Sequence, residues 1–296
     1  MQAVSQNLLG KRFDFRRELM HSGKSATIRE NLSMRLLRTS HLGPTLVVSL
    51  VSYLLAIALW WEGPALVIAL TIFTGQLCVG WTNDLVDVES DREQRRAHKP
   101  IANGEISIST VRTSTFIALA LCIALSFFGP LGIRGGLVHL LGVGCGVAYN
   151  FYLKANLASP IAYIIAFAAL PSCIVLSKYN TVPLWLVATG SLFGIAAHFA
   201  NVLKDMERDR SAGVMGFPQR VGSGTSSLIA GTSLMCVSII LTSVTGLRFS
   251  LIIGTLAFIA LFAVPMKARF VLILLLALTD VVVLVTFASS SVVTPL

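Results

Sequence analysis

Residues 64–92 read PALVIALTIFTGQLCVGWTNDLVDVESDR, an uncharged and mostly apolar run over 64–82 that passes without a break into Asn83, Asp84, Asp87 and Asp91. About 20 such residues cross the hydrocarbon core of a bilayer as a helix. The stretch therefore predicts a membrane span that delivers an amide and three carboxylates to one boundary. Eight further stretches have suitable length and polarity: about 43–61, 109–129, 133–150, 157–177, 182–203, 225–246, 249–265 and 270–288.

Composition agrees. Of 296 residues, 55% are hydrophobic and only 12% charged, with a mean hydropathy of +0.78. Soluble domains run near a quarter charged, so a water-soluble globule is excluded. The expected fold is all-α: a polytopic membrane protein with nine transmembrane helices bundled around a central cavity over 43–296. Ahead of it lies a basic arm, 1–42, in which 27–41 reads as an amphipathic helix on the membrane surface. The arm lacks the early apolar core of a cleaved signal. The five cysteines lie in apolar stretches without CxxC or zinc spacing, which disfavours a disulfide scaffold or a structural zinc site.

Charge sets the expected topology. With nine spans, 20 of the 23 Lys and Arg fall on one set of alternating segments and 3 on the other. The positive-inside bias then places the N-terminus and the acid-rich mouth in the cytoplasm and the C-terminus outside. A bacterial cytoplasmic membrane is the expected location. The net charge of +9 follows from this bias and from contact with anionic lipid, and calls for no nucleic-acid partner.

The same side carries 12 of the 14 acidic residues, nine of them after the second and sixth spans. The sixth span ends in NVLKDMERDR, giving Asn201, Asp205 and Asp209, with the same N-x-x-x-D-x-x-x-D spacing as Asn83, Asp87 and Asp91. The copies lie 118 residues apart and read as a duplication of 64–104 and 182–222. On a continuous helix each set forms one polar stripe, which Asp84 joins through Asp87. Both spans run inward, so the acids fall at helix C-termini, where the macrodipole disfavours negative charge and like charges four apart repel. A bound cation relieves this. Carboxylate and amide oxygens are hard ligands suited to Mg²⁺ or Ca²⁺. The neighbouring Arg92, Arg95, Arg96 and Lys99, and around the second copy Lys204, Arg208 and Arg210, add the character of a metal-bridged diphosphate site.

On these motifs the chain resembles the UbiA superfamily of intramembrane prenyltransferases, marked by N-D-x-x-D-x-x-x-D (Asn83, Asp84, Asp87, Asp91) and a second D-x-x-x-D (Asp205, Asp209). Lys99-Pro100 followed by Gly104 resembles the family's Arg-Pro…Gly stretch, with Lys in place of the bidentate Arg. Tyr149, Asn150 and Lys154 resemble its Tyr…Lys element. The resemblance implies Mg²⁺-dependent transfer of an isoprenyl group from an allylic prenyl diphosphate to a lipophilic, aromatic or quinone-precursor acceptor. It implies Asp84, Asp87, Asp205 and Asp209 as catalytic and Asn83, Asp84, Asp87, Asp91, Asn201, Asp205 and Asp209 as metal ligands. Arg92, Arg96, Lys99, Tyr149, Lys154 and Lys204 would bind diphosphate.

Two polar residues inside the spans complete the candidates. His198 lies one to two turns deeper than Asn201 and Asp205 on roughly their face, suited to orient or deprotonate an acceptor. Asp280 is an intramembrane acid away from both motifs, a functional candidate by position; the alternative is a hydrogen-bonded group near the bundle centre, beside Thr279. His139 is a weaker candidate. A cyclase of the same superfamily, acting on a prenyl diphosphate alone, would carry the same motifs. A divalent-cation or anion transporter is the reading from another class, although transporter sites lie near the midplane. A CDP-alcohol phosphotransferase requires Gly after the second Asp, where this chain has Val88.

Overall fold

The computed structural model describes residues 32–96, 98–203, 205–211 and 213–288. Most of the basic arm, and Lys204, lie outside the described residues. The chain is helical. A short α1, Leu32–Thr39, turns through 78° into α2, Leu42–Ile57. Then follow α3, Glu62–Glu93; α4, Ile108–Phe128; and α5, Gly132–Ala148, which ends in a π-helical turn, Tyr149–Leu153. After these come α6, Ser159–Leu176; α7, Leu184–Leu203; and α8, Met206–Ser211. The last elements are α9, Phe217–Thr245; α10, Arg248–Ala263; and α11, Met266–Val283, with a closing π turn, Leu284–Ala288.

Each of the nine predicted stretches coincides with a helix, but the count of crossings is coarser than nine. Among the described residues, seven helices are long and apolar enough to cross a membrane, or eight if the bent pair α1–α2 forms one span. At 16 residues each, α2 and α10 reach about 24 Å, short of a hydrocarbon core near 30 Å. The 32 residues of α3 reach about 48 Å, so its last turns carry the first acidic motif beyond the apolar layer.

Local chemistry explains the boundaries. Ser107 caps α4 by accepting from the Thr110 N–H at 3.0 Å, one of the orphan donors of a helix start. Pro218 occupies the first turn of α9, where its missing N–H costs nothing. Helix α9 is broken at Gly222 (φ 86°) and ends on Gly246 in the left-handed conformation.

Neighbours in chain order pack on one another from α2 to α7, α7 packs on α9, and α9, α10 and α11 form a group whose last turn returns to α2. The α6–α7 contact is made by small residues: a Cβ on Gly190 or Gly194 would meet the Phe167 or Tyr163 carbonyl oxygen at 2.6 or 2.4 Å. In lipid, where apolar surface alone gives helices little reason to associate, such close backbone packing holds them together. One apolar cluster, including Ile68, Ile72, Leu131, Ile174, Leu186 and Leu241, closes the end remote from the acids. Large exposed side chains such as Phe116, Phe128, Ile252, Leu256 and Leu274 face outward, where a bilayer solvates them.

Candidate active site

The first motif sits on unbroken helix. Its residues lie on one side of α3, within about 100° of arc, and engage different partners. Asp84 and Asp91, seven residues apart and therefore nearly in phase, are both buried and share one ammonium: Lys99 Nζ lies 2.5 Å from Asp84 Oδ1 and 3.9 Å from Asp91 Oδ2. Arg96 adds a contact to Asp91 at 3.2 Å. Asn83 and Asp87, toward the other edge of that side, are joined by Asn83 Nδ2 donating to Asp87 Oδ2 at 3.2 Å. On that side Lys154 donates to Asp87 Oδ2 at 2.7 Å.

The π turn at the end of α5 aims the Tyr149–Lys154 segment at this edge. A π turn widens the helix by one residue and shifts the direction of the side chains after it. Asn150 is buried and donates to the Val79 carbonyl at 2.9 Å and to Thr82 Oγ1 at 3.0 Å, which ties α5 to α3 one turn before the motif. Tyr149 points inward and stacks edge-on against Tyr163 and His198, with ring centroids 5.0 and 5.7 Å away.

The second motif departs from expectation. Helix α7 stops at Leu203 and a new helix begins at Met206, so Asn201, Asp205 and Asp209 do not share a continuous stripe. The Asp209 N–H bonds the Asp205 carbonyl at 2.8 Å, which makes Asp205 the entry residue of α8. Acids then lie in the first turn of α8 and Arg208 and Arg210 in its last, the arrangement a helix dipole favours. The dipole argument for a cation therefore holds at the first motif and fails at the second. The motif's own charge pattern, acids before bases, suits a fresh helix start better than the end of a long one.

Asp205 pairs with Arg208 at 2.9 Å on the exposed side. Asp209 accepts from Gln219 Nε2 at 2.8 Å, and the Gln219 carbonyl accepts from Arg210 Nε at 2.9 Å, which fastens α8 to the start of α9. Burial pushes the Asp209 carboxyl above its ordinary range, opposed by the Gln219 bond and by Lys154; Asp205 adds to the rise and Arg96 opposes it. Lys154, ion-paired to Asp87 of one motif, thus also acts electrostatically on Asp209 of the other. Asn201 lies within hydrogen-bonding reach of the Tyr163 hydroxyl.

Three predicted partners sit elsewhere. Arg92 turns outward to Glu89 at 3.1 Å, one residue and about 100° of helix away from Asp91; adjacency in sequence misled. Asp280 is buried between α9, α10 and α11, where Ser238 Oγ donates to it at 2.8 Å, with Ser250 at 3.5 Å. Its expected neighbour Thr279 instead bonds the Leu275 carbonyl. His139 is buried against Ser126 Oγ at 2.9 Å.

His198 is 1% exposed. Ser159 Oγ accepts from the Phe217 N–H at 3.2 Å and lies 3.0 Å from His198 Nε2. The other ring nitrogen, Nδ1, is buried with no hydrogen-bond partner among the described residues.

Sequence reasoning missed two residues. His41, at the α1–α2 elbow, places Nε2 2.9 Å from Asn83 Oδ1 and 3.1 Å from Asp84 Oδ1. Gln219 holds Asp209. Neither carries a motif, although each lies on the side where the charge count puts the chemistry.

Among the described residues no three His, Cys, Asp or Glu side chains already converge as a metal cage. The carboxylates are engaged one by one by Lys99, Arg96, Lys154 and Arg208. A bundle of membrane-length helices with acid-rich segments and their lysine and arginine partners at one end defines a polytopic membrane protein with a polar mouth. The chain belongs to the UbiA prenyltransferase family, whose sequence pattern matches residues 44–290.

No curated protein matches the sequence. Solved structures share the fold. A digeranylgeranylglyceryl phosphate synthase is 17% identical, with a TM-score of 0.67 over 88% of this chain and 99% of that one. A UbiA homologue from Archaeoglobus fulgidus, bound to GPP and Mg²⁺, is 14% identical, with a TM-score of 0.64 over 88% and 99%. An apo UbiA homologue from Aeropyrum pernix K1 is 15% identical, with a TM-score of 0.64 over 82% and 97%.

Proposed function

We propose that the protein transfers an isoprenyl group from an allylic prenyl diphosphate to a lipophilic acceptor inside the membrane, with Mg²⁺ as cofactor. The observation that carries this reading is that Lys154, ion-paired to Asp87, also acts electrostatically on the Asp209 carboxyl, so acids of motifs 118 residues apart share the field of one ammonium. Family membership and the Archaeoglobus homologues bound to GPP or DMAPP with Mg²⁺ support it.

The donor set fits the ion. Asn83, Asp84, Asp87, Asp91, Asn201, Asp205 and Asp209 offer hard oxygens, and Mg²⁺ takes one or two carboxylates while water and phosphate complete its shell. A closed protein cage is not required. When bound, the metal neutralises charge that develops on the departing diphosphate. Lys154, Lys99 and Arg96 then contribute donors to the anion. Tyr149, Tyr163 and Phe199 present ring faces and edges around the apolar interior next to the mouth, where water that would quench an allylic cation is excluded. His198 offers its ring nitrogen Nδ1 to the acceptor. The mouth faces the cytoplasm, with the N-terminus inside, nine crossings and the C-terminus outside; the charge asymmetry supports this orientation.

The test is purified protein in detergent with labelled C10 to C20 allylic diphosphates, Mg²⁺ and an extract of host membrane lipids and quinone precursors. Metal-dependent release of pyrophosphate with label moving to an extracted acceptor is expected, and EDTA stops it. Release that needs no acceptor and yields a cyclised product replaces transfer with cyclisation. No consumption of any donor overturns the proposal.

A further inference from the structure

We propose that His41 is a positioning residue of the acidic mouth, holding Asn83 and Asp84 in the orientation that receives cation and diphosphate; this rests on the function proposed above. The backbone at His41 is left-handed, φ 53° and ψ 53°, a conformation uncommon outside glycine and costly to hold. Such strain persists where the surroundings over-determine it, and here they do.

The Ser40 carbonyl is wedged against α3, where a Cβ on Gly80 would lie 2.3 Å from its oxygen, and Thr45 Oγ1 donates to the same oxygen at 2.9 Å. Trp81 Nε1 donates to the Leu36 carbonyl at 2.9 Å. From α1, Arg35 Nη1 donates to the Glu105 carbonyl at 2.6 Å and Arg38 pairs with the Glu105 carboxylate at 3.1 Å. The elbow is thus clasped to α3 on one side and to the loop after the first motif on the other. The side chain it presents is His41.

The bonding sense follows from the acceptors. Asn83 Oδ1 and Asp84 Oδ1 can only accept, so His41 Nε2 carries the proton and donates to both. Lys99 Nζ, 3.4 Å from Nε2, is a second donor to the same Asp84 oxygen and no partner of the imidazole. The amide of Asn83 is fixed in turn. With its oxygen toward His41, its Nδ2 faces Asp87 Oδ2 at 3.2 Å and Asn150 Oδ1 at 3.5 Å. Flipped, it would set NH₂ against N–H at one end and oxygen against a carboxylate at the other. One imidazole N–H therefore orients Asp84 directly and Asp87 through Asn83, from a segment outside both motifs.

His41→Gly separates this role from a merely structural one, because glycine adopts the same backbone freely while the imidazole is lost. His41→Asn restores a side-chain donor on a residue that tolerates the left-handed conformation. Thermal unfolding in detergent, Mn²⁺ binding with inorganic pyrophosphate by electron paramagnetic resonance, and steady-state kinetics are measured for both, with Asp84→Asn beside them. The expected result is an unchanged or higher Tm for H41G. Its Mn²⁺–pyrophosphate affinity and kcat are expected to fall at least ~10-fold, as for loss of a hydrogen bond to a charged group, with acceptor KM unchanged and partial recovery in H41N. If D84N weakens binding and H41G does not, this inference is overturned while the proposed function stands. If D84N changes neither binding nor turnover, both fall. A loss in H41G accompanied by a lower Tm that Asn does not restore marks His41 as a fold residue and overturns the inference too.

Discussion

Lys154 Nζ lies 2.7 Å from Asp87 Oδ2 and within the field of Asp209, so one ammonium on the α5–α6 connection acts on acids carried by α3 and α8. Replacing it with methionine keeps the stem and removes the charge. Hydrogen bonds to charged groups are worth about 1.5–3 kcal/mol, so K154M is expected to lower kcat/KM for the prenyl diphosphate by roughly 10- to 100-fold. K154R is expected to recover part of it. Pyrophosphate release under saturating Mg²⁺ measures both, and a wild-type rate for K154M removes Lys154 from the site.

Lys99 and Asp84 form a pair with side chains 9% and 3% exposed. Removing one member of a buried pair strands the other charge, at a cost of about 3–5 kcal/mol, whereas removing both is far milder. Lys99→Met is therefore expected to lower Tm in metal-free detergent solution more than the double variant Lys99→Met/Asp84→Asn. Additive losses would show that the pair is not coupled in the folded protein.

Asp209 gives a pH dependence whose sign can be worked out. Its carboxyl is raised in the fold, chiefly by burial, so the fold favours the protonated form. The associated stability is fully present below the unfolded pKa of about 3.9 and is lost as pH rises through the higher folded value. In EDTA, Asp209→Asn, which keeps a neutral group beside Gln219, is expected to raise Tm at neutral pH. The advantage should shrink as pH falls toward that of a free carboxyl. Thermal scans at several pH values check this, and a stabilisation that grows on acidification contradicts it.

What the sequence could disclose depended on helical phase. The first motif was legible because α3 runs unbroken through it, and spacing then determines which side chains share a face. The same spacing misplaced the second motif because α7 stops at Leu203, before Asp205, and α8 starts anew. Arg92 adjoins Asp91 in sequence yet faces away from it, while Arg96, five residues on and past the helix end, folds back. His41 was invisible for a different reason. Its place depends on a left-handed elbow and on the close approach of Gly80, features of tertiary packing that no local pattern encodes. The nine apolar stretches located their helices, but hydropathy could not show that α2 and α10 are only 16 residues long.

Asp280 tests the opposite expectation, that an acid within the membrane belongs to the chemistry. It is fully buried, and its bonds run to Ser238 on α9 and Ser250 on α10. Both are helices of the C-terminal group, and no polar contact links it to either acidic motif among the described residues. These bonds join three helices, of which α10 is too short to be held by length alone. Interhelical hydrogen bonds in membranes average about 0.6 kcal/mol and reach about 1.7. Asp280→Asn, which still accepts from both serines, is expected to leave Tm and turnover near wild type. Asp280→Leu is expected to lower Tm, since neither serine keeps its acceptor on α11, with kcat for prenyl transfer unchanged in the protein that remains folded. Thermal unfolding and turnover per folded molecule separate the two effects, and a large fall in kcat for a stably folded D280N would return Asp280 to the reaction.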